Sequence, residues 1–193
     1  MKTTSRKTKA AFTLIEILAV IAIMGILAGI IVGSTTLVKD KQNRELARVQ
    51  ILLIANKLEE YKLDKGDYPA TENTETGEKN SNLIFKALYW DSDDDGEGVG
   101  KGKDDGDLDQ KIYVAALNPE SSKQKWTKTP ASERTQIFDP WGNEYRYRSA
   151  KSKNGQVNSS TDNPDFDLWS IGKDGKSKRS VPKDKDNRDD INN

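Results

Sequence analysis

At 193 residues the chain has room for one ordinary domain and an appendage. Lys plus Arg and Asp plus Glu both total 31, so the formal net charge is zero, which argues against holding nucleic acid by bulk positive charge. There is no Cys and no His. Disulfides, thiolate metal sites, cysteine nucleophiles and Ser-His-Asp triads are therefore excluded, along with the commonest general base. The chain reads as something other than an enzyme.

The charge is spread unevenly. Residues 1–11 carry Lys2, Arg6, Lys7 and Lys9 and no acid, and residues 12–38 carry Glu16 alone. The other 57 of the 62 charged residues lie among the 155 positions from Lys39 onward. Ile17–Val38 is a run of 22 uncharged residues rich in Ile, Leu, Ala and Val. As a helix such a run spans roughly 33 Å, the thickness of a bilayer's hydrocarbon core. The basic tip should stay cytoplasmic and send the rest of the chain outward. A cleaved secretory signal would have a shorter apolar core and end at a small-residue site. Here the helical pattern runs on past Val38.

Beyond Val38 the apolar residues Ala47, Ile51, Ile54, Leu58 and Tyr61 recur every three or four positions, the mark of an amphipathic helix. Leu46, Val49, Leu52 and Leu53 are expected to widen that face; Lys41, Arg44, Glu45, Arg48, Lys57 and Glu60 fall elsewhere. Gly66 and Pro69 end the pattern. One helix from Phe12 to about Leu63 is predicted, roughly 78 Å long at helical rise. Its outer half should pack on a globular head, and its inner half needs lipid or other copies of itself. Gly25, Gly29 and Gly33 stand four apart, which suits close helix approach but is also common in membrane spans.

Glu16 is out of place in this run. A carboxylate near the start of a membrane span needs a partner, and no basic residue follows Lys9 closely. A cut just before Phe12 would create an α-amine four residues away. The amine of a neighbouring subunit could pair with Glu16 and set the axial register of a polymer.

Lys9-Ala10-Ala11-Phe12-Thr13-Leu14-Ile15-Glu16 resembles the class III signal of type IV pilins and pseudopilins. Ala11 stands where that family normally has Gly. Three further segments extend the likeness, in family order. Tyr61 to Thr71, followed by Leu83 to Leu88, looks like the helix exit of major pseudopilins of type II secretion. Asp139-Pro140-Trp141-Gly142-Asn143-Glu144-Tyr145-Arg146-Tyr147 and Phe166-Asp167-Leu168-Trp169-Ser170-Ile171-Gly172-Lys173-Asp174-Gly175 resemble that family's turn-and-strand and its last strand with a Gly-Asp-Gly loop. The resemblance is closest to the major (G-type) pseudopilin.

The expected fold is α+β, the pilin fold: a long N-terminal helix, part transmembrane and part amphipathic, on a small antiparallel sheet. Strands are expected around Lys111–Ala115, Tyr145–Arg148 and Phe166–Ser170, with Trp141, Trp169, Tyr147 and Phe166 in the core. The parts would be a leader (1–11), a transmembrane and filament-core segment (12–38), the amphipathic half (39–66) and a periplasmic head (67–193). Within the head lie an acidic loop (91–109) and a tail (172–193).

The resemblance implies Ca²⁺ in the C-terminal loop. Asp174 and the closing Asp189-Asp190-Ile191 supply the hard oxygen ligands calcium prefers, and a metal clip would close the tail onto the sheet. The insert Ser177–Arg188 is longer than usual, and the family's Trp after the Asp-Ile pair is missing. Asp91, Asp93 and Asp95 begin like an EF-hand loop, but Gly102 stands where the twelfth-position Glu belongs. That segment is either a second calcium site or a solvated acidic loop.

As the resemblance implies, prepilin peptidase would cut between Ala11 and Phe12 and methylate Phe12. Glu16 would then pair with a neighbouring Phe12 amine in a homo-oligomeric helical filament. Minor pseudopilins, an assembly ATPase and a platform protein of the inner membrane would be partners, and the filament would push proteins through an outer-membrane secretin. No nucleic acid is expected. The alternatives are a type IV pilin of a surface filament and a membrane-anchored calcium-binding module that does not polymerise.

Overall fold

The computed structural model describes residues 12–70, 79–92, 111–120, 126–128, 131–132, 134–179 and 183–193, without the side chains of 30–37. One helix, α1 (Leu14–Lys65), runs for 52 residues, two positions later at each end than the hydrophobic pattern predicts. It ends as its sequence dictates: the Gly66 amide donates to the Lys62 carbonyl (2.7 Å) and Gly66 takes φ +93°, where a side chain would be strained. Two short helical turns follow, α2 (Ser81–Phe85) and a π-helical turn at Lys86–Trp90, then a 3-10 turn at Ala115–Leu117. The sheet is three antiparallel strands in the order β1 (Arg146–Ser149), β2 (Phe166–Ser170) and β3 (Ile191–Asn192).

The chain divides into two compact units, one ending at Lys41 and one spanning Gln42–Asn193. In the first, every large apolar side chain from Phe12 to Leu27 is exposed, and none packs into a core. Over the described residues alone, no helix is long and apolar enough to cross a membrane. The side chains of 30–37, inside the uncharged run, are outside that description.

The second unit has its own core. Ala47, Ile51, Ile54 and Leu58 of α1 are buried against Ile84, Phe85 and Leu88, against Tyr145 just before β1, and against Tyr147, Phe166 and Leu168 of the sheet. The pairing of Tyr147 with Leu168 and of Ser149 with Phe166 puts these alternate residues on the helix-facing side. Gln50 is buried on the same helix face, where its Oε1 accepts a 2.6 Å bond from the Tyr145 hydroxyl. Burial pushes the Tyr145 hydroxyl well above the usual phenol range, so it stays the donor. Tyr61 and Trp141 are half-buried against this core.

Three expectations are corrected here. Leu46, Val49, Leu52 and Leu53 do not widen the packed face: they are 39, 63, 62 and 36 % exposed. The head is narrower than the apolar sector of the helix, so one stripe is covered and the other is left in solvent. Lys111–Ala115 is not a strand. The amides of Tyr113 and Val114 both donate to the Leu88 carbonyl, at 3.0 and 3.1 Å, so the segment is bound to the π-helical turn and not to a ladder. Lys111 instead bridges Glu60 and Asp64 of α1, at 2.7 Å each. The third strand comes from the tail, where Ser170 pairs with Ile191 and Trp169 with Asn192.

Substitutions along α1 check this division. Leu58→Ala should cost the Gln42–Asn193 unit about 2–5 kcal/mol. Gln50→Ala should cost about 1–3 kcal/mol, because the buried Tyr145 hydroxyl loses its acceptor. Leu52→Ala should stay within about 0.5 kcal/mol of the parent. Urea unfolding of residues 42–193 measures all three, and equal losses at Leu52 and Leu58 would contradict the assignment of faces.

Candidate functional site

Two regions carry the residues singled out from the sequence. The first is the start of α1. Thr13 is the N-cap, and Glu16 stands three residues on, at the third helical position. Glu16 Oε2 accepts from the Thr13 amide and from the Thr13 hydroxyl, both at 2.8 Å. The Glu16 amide donates back to Thr13 Oγ1 at 3.3 Å. This is a reciprocal capping box that satisfies helix-end donors. Glu16 thus has a partner within its own chain, and that partner is a hydroxyl and an amide, with no cation. The spacing Thr13-x-x-Glu16 was the available signal, and a search for basic partners alone passes over it. Phe12 is 82 % exposed beside the cap, so the residue expected to carry the new amine lies open. Ala11 lies outside the described residues.

The second region is where the tail closes on the sheet, and it is built from the turn Asp139–Asn143. Asp139 Oδ1 accepts from the amides of Trp141 (3.0 Å) and Asn143 (2.8 Å), and its Oδ2 accepts from the Ser170 hydroxyl (2.6 Å). Burial pushes the Asp139 carboxyl up, while these donors pull it down. The carboxylate therefore ties the turn to the end of β2. Asn143 Nδ2 in turn donates to the Gly172 carbonyl at 2.7 Å.

Gly172 is the tightest point of the region. Its φ is +64°, and a Cβ there would stand 2.5 Å from both the backbone oxygen and Oδ2 of Asp189. Asp189 Oδ2 also accepts from the Asp174 amide at 3.0 Å. Asp190 Oδ2 accepts from the Ser177 hydroxyl at 2.6 Å, while its Oδ1 is buried with no hydrogen-bond partner. Burial pushes the Asp190 carboxyl up to about 6; Asp189 and Asp174 push it the same way, and Ser177 and Arg179 pull it down. Asp174, Asp189 and Asp190 are thus brought to one loop closure, as the sequence suggested. Among the described residues, no three Asp, Glu, His or Cys side chains converge into a metal-holding group. Calcium, however, draws much of its coordination from backbone carbonyls and water. A buried carboxylate oxygen with no partner, beside two further acids, fits a cation.

The insert brings cations of its own. Arg179 lies over the Trp169 ring, 4.6 Å from its centroid, and pairs with Asp162 at 2.8 Å. Arg148 approaches the same ring at 5.5 Å. Trp169 is fully buried although it faces away from α1, its neighbours in register being Arg146 and Asn192. Lys178 pairs with Asp186 at 3.0 Å and Asp184 at 3.6 Å, so the interleaved charges of the insert neutralise one another. Arg179 carries no signal in the sequence that separates it from Arg188 at the far end of the insert; its place over Trp169 comes from the path of the tail, and guanidinium stacks on indole better than ammonium does.

Asp91 is buried and pairs with Lys86 at 3.1 Å. Asp93 and Asp95, its expected companions in a second metal loop, lie outside the described residues.

Residues 6–32 match the family described as "Prokaryotic N-terminal methylation motif", which covers the cap and the start of α1. Residues 109–193 match "Type II secretion system (T2SS), protein G", which covers the turn, the sheet and the tail. Over these two stretches the chain is similar to the protein G pseudopilins of type II secretion. A relative from Pseudomonas aeruginosa, named "Type II secretion system core protein G", is 29 % identical over 89 % of this chain and 88 % of its own length. One of the same name from Vibrio cholerae is 24 % identical over 88 % of this chain and 84 % of its own. Another from Klebsiella michiganensis is 43 % identical over 35 % of this chain and 47 % of its own length.

The tail gives a local test. Gly172→Ala forces both a left-handed residue, costing about 1–2 kcal/mol, and a displacement of Asp189. Gly155→Ala, with φ +80° and nothing within 4 Å of its Cβ, carries only the first cost. Trypsin should therefore cut between residues 173 and 188 markedly faster in Gly172→Ala than in Gly155→Ala, read by mass spectrometry. Equal rates would mean the approach of Asp189 to Gly172 does not hold the tail.

Proposed function

We infer that this pseudopilin is a structural subunit of the type II secretion pseudopilus, polymerising through α1 to drive proteins outward. The observation that carries the reading is the run Phe12–Leu27, apolar on all sides with no core around it, headed by the Thr13–Glu16 cap. Such a surface is stable only in lipid or against copies of itself. No catalytic role is assigned, since neither His nor Cys occurs.

In this reading prepilin peptidase cuts between Ala11 and Phe12 and methylates the Phe12 amine. The precursor sits in the inner membrane with residues 1–11 in the cytoplasm and the head in the periplasm. A cytoplasmic ATPase and a platform protein extract it into a filament started by minor pseudopilins. Glu16 changes partners on assembly, from its own Thr13 to the α-amine of a neighbour. A type IV pilin is the rival; the protein G match over the head and the lack of Cys favour the pseudopilus.

Two substitutions separate the cap from the charge. Glu16→Ala removes both, and Glu16→Gln keeps a side chain that can complete the cap while removing the charge. Both should abolish filaments seen by electron microscopy of sheared cells. Normal filaments from Glu16→Gln would mean that Glu16 serves only as a cap.

Calcium belongs to the same proposal. Asp190 and Asp189 would hold it, with Asp174 and backbone carbonyls of the loop completing an oxygen shell. There it would neutralise the clustered acids and fasten the tail. At a hundredfold excess over Kd the ion adds about 2.7 kcal/mol, roughly 5–10 °C in Tm for a head of this size. Chelation of residues 42–193 should lower Tm by that amount and added Ca²⁺ should restore it. A Tm indifferent to chelator would remove calcium from the account.

A further inference from the structure

The head carries a concave surface that takes no part in the tail closure or in the start of α1. A cleft of about 460 Å³ lies between the last turn of α1, residues 67–70, the π-helical turn and the stretch 149–153 that leaves β1. That is within the size range of ligand pockets. Tyr68, Pro69, Leu83 and Ala87 give it an apolar lining.

Its charge is opposite to that of the unit around it. Residues 42–193 hold 25 basic and 29 acidic side chains, yet five lysines and three aspartates line the cleft. Two of the aspartates are already held, Asp165 by Lys62 at 3.2 Å and Asp91 by Lys86 at 3.1 Å. Lys65, Lys151 and Lys153 are exposed, and among the described residues none of them is in an ion pair. A concave, low-dielectric surface concentrates the field of such charges. They come from two separate elements, the end of α1 and the stretch after β1. As lysines they are point charges, without the guanidinium fork that grips a phosphate. Cations shared between two walls over an apolar lining match carboxylates carried in series on a chain whose methylenes lie against Tyr68 and Leu83.

We propose that this cleft is a docking site for an acidic peptide segment of a partner protein, with Lys65, Lys151 and Lys153 as the cations that receive its carboxylates. The cleft belongs to the head alone, so its ligand is bound whether or not the chain polymerises.

The full-length chain in detergent micelles is titrated into a fluorescein-labelled hexaglutamate peptide, and binding is followed by fluorescence anisotropy. Binding should saturate at one peptide per chain and weaken as salt is added. Lys65→Gln, Lys151→Gln and Lys153→Gln together should weaken it about tenfold, the loss of three exposed ion pairs, whereas the same loss of charge at Lys173, Lys176 and Lys183 should change it less than about twofold. Ala70→Trp fills the cleft without altering its charge and should weaken binding comparably while the head's Tm stays unchanged. Equal losses from the two triple variants, or no binding by the parent chain, would overturn the site. Displacement of the peptide by less tripolyphosphate than unlabelled hexaglutamate would make it a phosphate site instead. Binding that appears only after Asp93, Asp94, Asp95 and Glu97 are changed to Asn and Gln would give the cleft to the chain's own acidic stretch. Either of these last two results also overturns the proposal.

Discussion

A helix that is apolar around its whole circumference has no stable place in water, and the rest of this molecule is arranged around that constraint. From Phe12 to Leu27 the chain offers apolar surface and has no core to bury it in. The second half buries one narrow face, Ala47 to Leu58, and with it nucleates the head. The same helix is thus soluble at one end because it carries a domain and insoluble at the other because it does not. A protein made this way is incomplete as a single copy. On the proposed reading its solvents are lipid first and sister subunits afterwards.

The head solves a second problem, which is how a sheet of three short strands becomes rigid without a disulfide. Its smallest strand, Ile191–Asn192, is the chain's own tail, held at its approach by side chains and not by length. Asn193 completes the edge, its amide donating to the Leu168 carbonyl at 3.1 Å and its Oδ1 accepting from the Leu168 amide at 2.9 Å. Asp139, Asn143, Gly172 and Asp189 form a relay from the turn to the tail, and Arg179 presses the insert onto Trp169. The proposed calcium would reinforce a closure that polar side chains and one stacked guanidinium already define.

Much of this was legible in the residues. β2 falls where the sequence pattern put it, β1 lies one residue later, and α1 lies two residues later at each end, because period and turn chemistry are local signals. Tyr147, Phe166 and Trp169 are buried as expected, but Trp169 is buried on the far face, under a tail whose path no local pattern encodes. The Leu46 stripe stays outside the core for a related reason. An apolar sector says that a helix face avoids water, and only the width of the head decides how much of it a single chain can cover. Ile112, Tyr113 and Val114 are strand-forming residue types, yet the amides of Tyr113 and Val114 are claimed by the Leu88 carbonyl, a long-range partner. The Thr13–Glu16 cap was local and readable; attention to charge alone hid it.

The central claim is that the apolar helix is made for a filament and reaches it through a matured N-terminus. The intact mass and N-terminal sequence of the protein extracted from its own membranes test this most directly. The account predicts a chain that begins at N-methylated Phe12. A chain that keeps Met1, or one that begins beyond Val38, would contradict it.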